Sequence, residues 1–306
     1  MENYDSEATY TLDDLNQWNF SGTSLAVLGY PIRHSISPIM HNTVLAELSE
    51  ADPRFKTWRY FRFEVPPEKL LTSLPLFRKK GFHGINLTVP HKTIAIDGVK
   101  SIDPAAQPIG AINTLMLSGD GYIGFNTDGY GLEAGIKQEL GRTISGSSVV
   151  LLGAGGAARA AAVQCLQSNC SRLHIINRNQ DRLSALIKSI KCLPQAEHVK
   201  ISGSAPTDPE FQIPSHALMI NATSLGMKPD DPLPLNAGAL SSAIDLYDMV
   251  YNPPMTKLME TVTNQGGNAA NGLTMLAFQG AKSLSHWTGV EPRTETMLDA
   301  ARSTIS

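Results

Sequence analysis

Cysteine is scarce in this chain, which contains three cysteines among 306 residues. Cys165, Cys170 and Cys192 are odd in number and lack the C-x-x-C spacing of a redox pair or a zinc site. This usage argues against a disulfide framework and fits a reducing compartment. The sequence therefore predicts a cytoplasmic protein without a metal centre.

Long apolar runs and blocks of basic residues are also missing. No apolar stretch approaches the roughly 20 residues that a membrane helix needs, and the N-terminus (MENYDSEATY) is acidic and polar. We therefore expect neither export nor membrane anchoring. The net charge of -3 and the lack of a basic run argue against a nucleic-acid partner. Small molecules are the expected partners, and the sequence leaves a monomer and a homodimer both open.

The order of apolar and helical patterns predicts an α/β protein with two domains, for which 306 residues with 42% hydrophobic residues suffice. Residues 1–22 are polar and are expected to form a loosely held extension before a first buried strand at Ser24–Tyr30. The domain boundary is placed near Asp128. Helices are predicted at 38–48, 66–79, 129–140 and 159–167, and a further helix that includes Arg182 is predicted to end at 190. Strands are predicted at 57–65, 84–89, 111–118, 121–125, 147–153 and 173–177.

A loop at Asn86–Lys92 (NLTVPHK) places polar side chains beside a short apolar strand. Apolar residues alternate with Asn86 and Thr88, so in an extended segment the polar pair shares one face. Pro90 then ends the strand. Such a loop can grip a small polyhydroxylated molecule, but an ordinary strand-to-helix loop with a capping Asn or Thr is an equal alternative.

A glycine-rich turn follows the strand predicted at 147–153. Its sequence is Gly153-Ala154-Gly155-Gly156-Ala157-Ala158, and a helix-forming stretch follows. In this G-x-G-x-x-A pattern the first Gly permits a tight turn, the second lets the backbone approach a pyrophosphate, and the small last residue lets helix and strand pack closely. The helix N-terminus adds unpaired amides and the positive end of its dipole. The pattern predicts dinucleotide binding, with a tight turn that binds nothing as the alternative.

The end of the next strand favours NADP over NAD. NAD sites usually place Asp or Glu there for the ribose 2′-hydroxyl, but this chain has Asn177 followed by Arg178. Arg182 lies four residues further along, so the two guanidinium groups are expected to bracket a 2′-phosphate. A solvated helix start is the alternative, and the neighbouring Asp181 is compatible with it.

Lys92 and Asp128 are the candidates for proton transfer. Carbonyl reduction by a nicotinamide needs a group that protonates the developing alkoxide, and an ammonium both donates the proton and stabilises the charge. Asp128 would orient the ammonium. A nearby carboxylate favours the charged lysine, which suits reduction and hinders the base role in the reverse direction. Asp128 equally fits a helix cap before Gly129.

Ser35, Ser37 and Asn113 are further candidates. The two serines alternate on the loop after the first strand, where two hydroxyls can hold a carboxylate. Ser37 equally fits an N-cap with Pro38 at the first helical position. Asn113 is expected inside a strand, where a structural hydrogen bond is the alternative. The remaining histidines near these motifs, His34, His41 and His91, show no metal-ligand spacing.

Taken together, these motifs resemble those of the shikimate dehydrogenase family. From about Ser24 to Gly289 they follow the family's order: HSISP, NLTVPHK, GAINT, NTDG, GAGGA, NR, NATSLGM, YDMVYNP and NGLTMLAFQG. The resemblance implies a substrate domain over 1–127, completed by C-terminal helices over 272–306. It further implies a Rossmann-type NADP domain over 128–271 and a cleft between the two domains.

The resemblance also implies roles residue by residue. It implies that Lys92 and Asp128 form the catalytic pair. Residues implied to contact substrate are Ser35, Ser37, Asn86, Thr88, Asn113, Tyr251 and Gln279. Residues predicted or implied to contact NADP are Gly153, Ala154, Gly155, Gly156, Ala157, Asn177, Arg178, Arg182, Thr223, Met249, Gly272 and Met275. The implied reaction is the reversible NADPH-dependent reduction of 3-dehydroshikimate to shikimate in the chorismate route to aromatic amino acids.

Two features keep other interpretations open. Family members that use NADP often have Asn-Arg-Thr where this chain has Asn177-Arg178-Asn179, which weakens one expected phosphate contact. The segments at 30–35 and 252–257 also resemble NAD-linked quinate/shikimate dehydrogenases, but those enzymes place an acid near position 180, where this chain has Gln180. A non-catalytic sensor is a third interpretation, and the presence of both Lys92 and Asp128 argues against it.

Overall fold

The computed structural model describes residues 4–236, 238, 240 and 244–305. The chain divides into two compact units. The first comprises the chain up to Thr127 together with Gln279–Thr304, and the second comprises Asp128–Phe278. Both contain strands and helices, which confirms the predicted α/β class. Within the residues described, no helix combines the length and the apolar character needed to cross a membrane.

The strands and helices are numbered in chain order. The strands are β1 (Thr9–Tyr10), β2 (Thr23–Gly29), β3 (Trp58–Glu64), β4 (Phe82–Leu87), β5 (Ser101–Ile102), β6 (Thr114–Ser118), β7 (Gly121–Phe125), β8 (Ser148–Leu152), β9 (Arg172–Ile176), β10 (Lys200–Ser204), β11 (Leu218–Asn221), β12 (Asp245–Asp248) and β13 (Asn268–Ala270). The α-helices are α1 (Leu12–Asn16), α2 (Ser37–Ala51), α3 (Leu70–Lys79), α4 (His91–Ile94), α5 (Asp128–Leu140), α6 (Gly156–Gln167), α7 (Gln180–Lys191), α8 (Lys257–Asn264), α9 (Leu273–Thr288) and α10 (Thr294–Arg302).

The first unit is built on a mixed sheet. Among the described residues its strand order is β1-β3-β2-β4-β6-β7-β5. The strand pairs β1–β3, β2–β3 and β2–β4 are parallel. Strand β6 is antiparallel to both β4 and β7. The β6–β7 hairpin matches the turn chemistry of Gly119-Asp120-Gly121, and Gly119 has a φ of 61°. The hairpin therefore lies towards one edge of the sheet, where the two-residue strand β5 pairs with β7.

The second unit is built on a parallel sheet with the strand order β10-β9-β8-β11-β12-β13 in the described residues. Strands β8, β9 and β11 are mainly apolar and largely buried, as expected for a parallel sheet that helices cover on both faces. The chain order reverses between β8 and β11. In open parallel sheets, ligands bind beyond the carboxyl ends of the strands at such a switch point.

The N-terminal segment contradicts the expectation of a loosely held extension. Strand β1 pairs in parallel with β3, and Leu15 and Trp18 are buried in the core of the first unit. The Trp18 ring lies 4.8 Å from that of Phe61, and its indole nitrogen donates to Ser24 Oγ at 3.2 Å. The prediction was wrong because a few aromatic residues, which pack against phenylalanines far away in the sequence, outweigh the polar composition.

Several element boundaries differ from the predictions for local reasons. Helix α2 begins at Ser37, so Ile36 occupies the N-cap position and no side chain caps the helix. The segment expected to be one helix over 66–79 starts as a 3-10 turn at Pro67–Lys69 before α3. Strand β6 begins at Thr114, which leaves Asn113 just outside the strand. Helix α6 begins at Gly156, directly within the glycine-rich turn.

Helix α9 crosses the boundary between the units. The sequence placed the return to the first domain at 272, but the second unit extends to Phe278. The first turn of α9 belongs to the second unit, where the Met275 amide donates to Tyr247 Oη at 3.0 Å. Later turns belong to the first unit, where Trp287 Nε1 donates to the Leu115 carbonyl at 2.9 Å. A continuous helix carries no sequence signal for where such a division falls.

A buried histidine in the second unit makes stability depend on pH. His174 on β9 is 7% exposed, and its ring nitrogens bond Ser202 Oγ at 2.8 Å and Ser204 Oγ at 3.0 Å. The ring stacks on Phe211 with centroids 3.6 Å apart. Burial lowers the pKa of His174 to about 4. The imidazole is therefore held neutral in the folded state.

We expect His174 to destabilise the second unit in mild acid. Because the unfolded imidazole titrates near 6.5, the unfolded chain binds more protons as the pH falls from there towards 4. Between about pH 7 and about pH 5, wild-type unfolding free energy should fall by roughly 2 kcal/mol more than that of His174→Gln. Urea unfolding at both pH values measures this difference. Equal pH dependence in the wild type and in His174→Gln would refute the assignment.

Candidate active site

The loop at Asn86–Lys92 leaves the carboxyl end of β4 and is held by its neighbours. Asn86 lies in the strand, and the Leu87 amide donates to the Asn113 carbonyl at 2.8 Å. Thr88 is half-buried just beyond the strand, and its amide donates to the Leu28 carbonyl at 3.0 Å. The Val89–Pro90 peptide bond is cis. The chain then enters α4, which contains His91 and Lys92.

A buried polar network surrounds Asn86. Its Nδ2 donates to Thr114 Oγ1 at 3.1 Å and to Ser283 Oγ at 3.0 Å, and its Oδ1 accepts from Tyr60 Oη at 2.8 Å. All four residues are buried. Because buried polar groups require partners, these bonds fix the orientation of the Asn86 amide. Neither alternative for this loop predicted such a network.

Asn113 belongs to the same network. The residue is 1% exposed, and its Nδ2 donates to Thr127 Oγ1 at 2.9 Å and to Gln279 Oε1 at 3.1 Å. Its Oδ1 accepts from the Thr127 amide at 2.8 Å. The structural alternative for Asn113 therefore has direct support. These bonds also gather Asn113 and Gln279, two candidate substrate contacts, at one place in the first unit.

Ser35 lies on the loop that precedes α2, and Ser37 is the first residue of that helix. Ser35 Oγ donates to Ser37 Oγ at 3.2 Å, and the Ser37 amide donates to Ser35 Oγ at 3.4 Å. The capping alternative for Ser37 is wrong, because its hydroxyl caps no helical amide. Burial raises the pKa of the Tyr60 phenol well above its usual value, and a hydrogen bond with Ser37 opposes that rise. Tyr60 thus links Ser37 to Asn86.

Lys92 and Asp128 occupy the starts of two helices. Lys92 is half-buried in the short helix α4, and its carbonyl accepts from the Ile112 amide at 2.8 Å. This bond ties α4 to the residue that precedes Asn113. Asp128 is 6% exposed and is the first residue of α5, directly after Thr127. A carboxylate is stabilised at a helix N-terminus, so this position fits both a helix-capping and a catalytic role.

The glycine-rich turn fits a dinucleotide phosphate group. Gly153 has a φ of 110°, which L side chains rarely adopt, and an added Cβ would lie 3.1 Å from the Ala222 carbonyl oxygen. A Cβ at Gly155 or Gly156 would meet no protein atom within 4 Å, so the backbone there is open to a ligand. No side chain caps α6, whose first amides remain available to a phosphate. Ala154 and Ala157 complete the turn.

The basic residues after β9 are exposed around the start of α7. Arg178 lies in the turn before the helix and Arg182 in its first turn. In the described part of the chain, neither guanidinium forms an ion pair with Asp181 or any other acid. Asn179 Oδ1 accepts from the Arg182 amide at 2.9 Å, so Asn179 serves as the helix cap. Asn177 Nδ2 donates to the Asn179 carbonyl at 2.7 Å, which stabilises the turn.

A buried carboxylate organises the loops after β11 and β12. Asp248 is fully buried, and its oxygens accept from Asn221 Nδ2 at 2.9 Å and from Thr256 Oγ1 at 2.7 Å. Asn221 Oδ1 in turn accepts from Thr223 Oγ1 at 2.7 Å. Burial raises the pKa of Asp248, against the effect of these hydrogen bonds. These hydrogen bonds fix the position of Thr223, one of the residues implied to contact NADP.

The other implied cofactor contacts lie close by in the second unit. Gly272 packs so closely on Met249 that an added Cβ would lie 2.3 Å from the Met249 carbonyl oxygen. Met275 is half-buried in the first turn of α9. Tyr251, an implied substrate contact, lies in the loop after β12, and burial raises the pKa of its phenol. Gly272 therefore lies against Met249, and Met275 follows three residues later in the chain.

Comparisons with known proteins show the family of this chain. The family model of the shikimate dehydrogenase substrate binding domain matches residues 27–115, and that of the shikimate 5'-dehydrogenase C-terminal domain matches residues 272–302. A shikimate dehydrogenase (NADP(+)) of Methanosarcina mazei is 39% identical over 277 residues, which cover 89% of this chain and 94% of that protein. This chain belongs to the shikimate dehydrogenase family. The resemblance inferred from the motifs is thus confirmed.

Shikimate dehydrogenases of known structure share the fold along nearly the whole chain. One crystallised in complex with NADP+ has a TM-score of 0.82 and 34% identity, and the match covers 94% of this chain and 97% of that chain. The enzyme from Thermus thermophilus, in complex with NADP(H) and shikimate, has a TM-score of 0.78 and 31% identity, with 92% and 99% covered. Both of those shikimate dehydrogenases are thus in complex with an NADP cofactor.

The sequence did not single out several members of the two hydrogen-bond networks. Tyr60, Thr114, Thr127 and Ser283 surround Asn86 and Asn113, and Asn221 and Asp248 position Thr223. Asn221 and Asp248 end neighbouring strands in register, so a polar residue at the end of each apolar strand was an available signal. Tyr60 gave no such signal, because a tyrosine in an aromatic strand looks like an ordinary core residue.

Proposed function

We propose that this chain catalyses the reversible NADPH-dependent reduction of 3-dehydroshikimate to shikimate in the chorismate route to aromatic amino acids. The observation that carries the proposal is the polar cluster of Asn86, Asn113 and Gln279, which lies where the chain leaves β4 and continues to Lys92. The named relatives with NADP and shikimate support the same chemistry. A polyhydroxylated acid needs several fixed polar partners, and this cluster supplies them.

Each candidate residue has a role in the proposal. Ser35 and Ser37 bind the carboxylate of shikimate through their hydroxyls. The ring hydroxyls bind the polar side chains of Asn86, Thr88, Asn113, Tyr251 and Gln279. Lys92 donates the proton to the developing alkoxide during reduction, and Asp128 orients the ammonium and accepts a hydrogen bond from substrate. NADPH supplies the hydride.

The second unit provides the proposed NADP site. The phosphates bind the amides at Gly155 and Gly156, and the 2′-phosphate binds Arg178 and Arg182, whose guanidinium groups have no acidic partner among the described residues. Thr223, Met249, Gly272 and Met275 shape the nicotinamide side. The first unit is accordingly the substrate-binding domain, and the second is the NADP-binding domain.

We place the enzyme in the cytoplasm, where its three thiols would stay reduced. Cys165 and Cys170 are buried and free, and Cys192 is exposed and free. An exposed free thiol fits a reducing compartment. Homodimer formation is compatible with this site, because every residue proposed for the chemistry belongs to a single chain.

Turnover assays that cross two substrates with two cofactors test the function. Purified protein is supplied with shikimate or quinate and with NADP or NAD, and the absorbance of the reduced cofactor is followed. Shikimate with NADP should give the highest kcat/KM. Preference for quinate or NAD would favour the quinate/shikimate alternative, and no turnover in any combination would favour a sensor.

A further inference from the structure

The N-terminal segment is connected through Arg62 to the loop at residues 30–36, between β2 and α2, which we call the serine loop. Arg62 on β3 lies opposite Thr9 on β1 in the parallel register, and its Nε donates to Thr9 Oγ1 at 2.9 Å. One terminal nitrogen donates to the Glu7 carbonyl, and the other donates to the Ser35 carbonyl at 2.6 Å. The planar guanidinium therefore joins the segment before β2 to the loop after it.

Other hydrogen bonds also hold the serine loop, among them that of the Tyr30 amide, which donates to the Val89 carbonyl at 3.2 Å. Its beginning is held by the Ile32 amide, which donates to Glu64 Oε2 at 3.4 Å. Ser35 itself is bound within the loop, through its amide to the Ile32 carbonyl at 2.9 Å and through its hydroxyl to Ser37. The bond from Arg62 is shorter and charge-assisted, so it contributes strongly to the position of Ser35.

The N-terminal segment is rigid enough to orient Arg62. Trp18 and Tyr10 pack on each other with ring centroids 5.1 Å apart, and both contact Phe63 of β3. Lys80 Nζ donates to the carbonyls of Asn16 and Trp18 at 2.7 Å and 3.1 Å. These contacts hold Glu7 and Thr9 beside β3, where they fix two of the three guanidinium nitrogens.

We propose that Arg62 is a positioning residue for substrate, through which the N-terminal segment holds Ser35 in place to bind the carboxylate. This inference rests on the proposed function, in which Ser35 and Ser37 bind that carboxylate. Arg62 touches neither substrate nor cofactor in this account. Its loss should therefore affect shikimate binding and leave the cofactor and the proton transfer unchanged.

Kinetics of Arg62→Met test the proposal. The methionine keeps an apolar stem of similar length and removes all three nitrogens that donate the hydrogen bonds to Thr9, Ser35 and Glu7. We expect the KM for shikimate to rise about 10-fold, as for the loss of one charge-assisted hydrogen bond, with kcat and the KM for NADP within about twofold of wild type. Arg62→Lys, which keeps the charge and one donor to Ser35, should restore part of the affinity.

Thr9→Val is a milder second variant in case Arg62→Met fails to fold. It removes one acceptor of Arg62 and should raise the KM for shikimate about threefold, again without a change in kcat. Arg59→Met is the matched control, because Arg59 lies on the same strand and donates only to carbonyls of Lys56 and Trp58 among the described contacts. It should behave as wild type.

A double-mutant cycle separates positioning from general stability. If Arg62 acts through Ser35, the effect of Arg62→Met on the KM for shikimate should largely disappear in a Ser35→Ala background. Full additivity, or an equal rise in Arg59→Met, would overturn the proposal. An unchanged KM for shikimate in both Arg62→Met and Thr9→Val would also overturn it. In that case, turnover of shikimate by the wild type would still support the proposed function. Absence of that wild-type turnover would overturn both.

Discussion

Replacing Lys92 with alanine will lower kcat for shikimate oxidation by roughly 10²–10⁴-fold, while the Kd for shikimate changes by less than about 10-fold. The physical reason is that the ammonium interacts most strongly with charge that develops on the substrate oxygen in the transition state. Steady-state kinetics and calorimetric titration with shikimate measure the two quantities separately. The fall in kcat should also appear in the reduction direction, because both directions share one transition state.

Two further lysine variants sharpen this test. Lys92→Arg keeps the positive charge, but guanidinium does not release its proton at neutral pH, so its kcat should also fall strongly. Lys79→Ala is the matched control, because Lys79 is exposed in the last turn of α3 and has no proposed role. A Lys92→Ala enzyme with wild-type kcat would refute the assigned role. Full activity in Lys92→Arg would reduce that role to charge stabilisation alone.

Replacing Arg178 and Arg182 together with alanine will raise the KM for NADP by roughly 30- to 100-fold and leave the KM for NAD within about twofold of wild type. Each arginine is expected to donate charge-assisted hydrogen bonds to the 2′-phosphate, a group that NAD lacks. Because both side chains are exposed, solvent screens part of their interaction with the phosphate. Initial rates at saturating shikimate, with each cofactor varied, measure the selectivity.

Arg172→Ala is the control for the cofactor prediction. Arg172 is exposed like the other two arginines, but it begins β9, whereas Arg178 follows the end of that strand. Its loss should leave both Michaelis constants unchanged. An equal loss of affinity for NADP and NAD in the double variant would indicate general damage to the turn. It would refute the assignment of Arg178 and Arg182 to the 2′-phosphate. The capping residue Asn179 remains intact in all of these variants.

The first part of the second unit, from α5 to α7, was predictable because its signals are local, whereas no strand or helix was predicted from 191 to 271. An apolar strand, a glycine turn and a helix follow one another within about 20 residues, and each has a sequence pattern of its own. The positive φ at Gly153 and the start of α6 at Gly156 agree with the roles that the pattern assigned to those positions. The loop at Asn86–Lys92 was also predictable in outline, since polar residues interrupt an apolar strand there.

Other features depend on contacts between distant parts of the sequence. Asn86 and Ser283 are hydrogen-bonded although 197 positions separate them, and nothing near either residue indicates its partner. The N-terminal segment was assigned wrongly for the same reason, since Trp18 is buried only because β3 brings Phe61 and Phe63 to it. Strands β1 and β5 contain two residues each, too few for a periodic pattern.

These two classes of feature explain why the sequence offered Lys92 and Asp128 as catalytic candidates but did not point to Tyr60 and Arg62. Lys92 and Asp128 stand in motifs whose chemistry is readable from neighbouring residues. Tyr60 and Arg62 form hydrogen bonds to Asn86 and Ser35, which lie in other elements. Supporting residues of this kind are visible only after the strands are paired.

The reduction of 3-dehydroshikimate tests the central claim most directly. Purified protein is mixed with 3-dehydroshikimate and NADPH, the loss of NADPH absorbance is followed, and the product is identified by chromatography against authentic shikimate. We expect one NADPH to be consumed for each shikimate formed, with a much slower reaction in Lys92→Ala. Failure of the wild-type protein to consume NADPH, or formation of a product other than shikimate, would contradict the account.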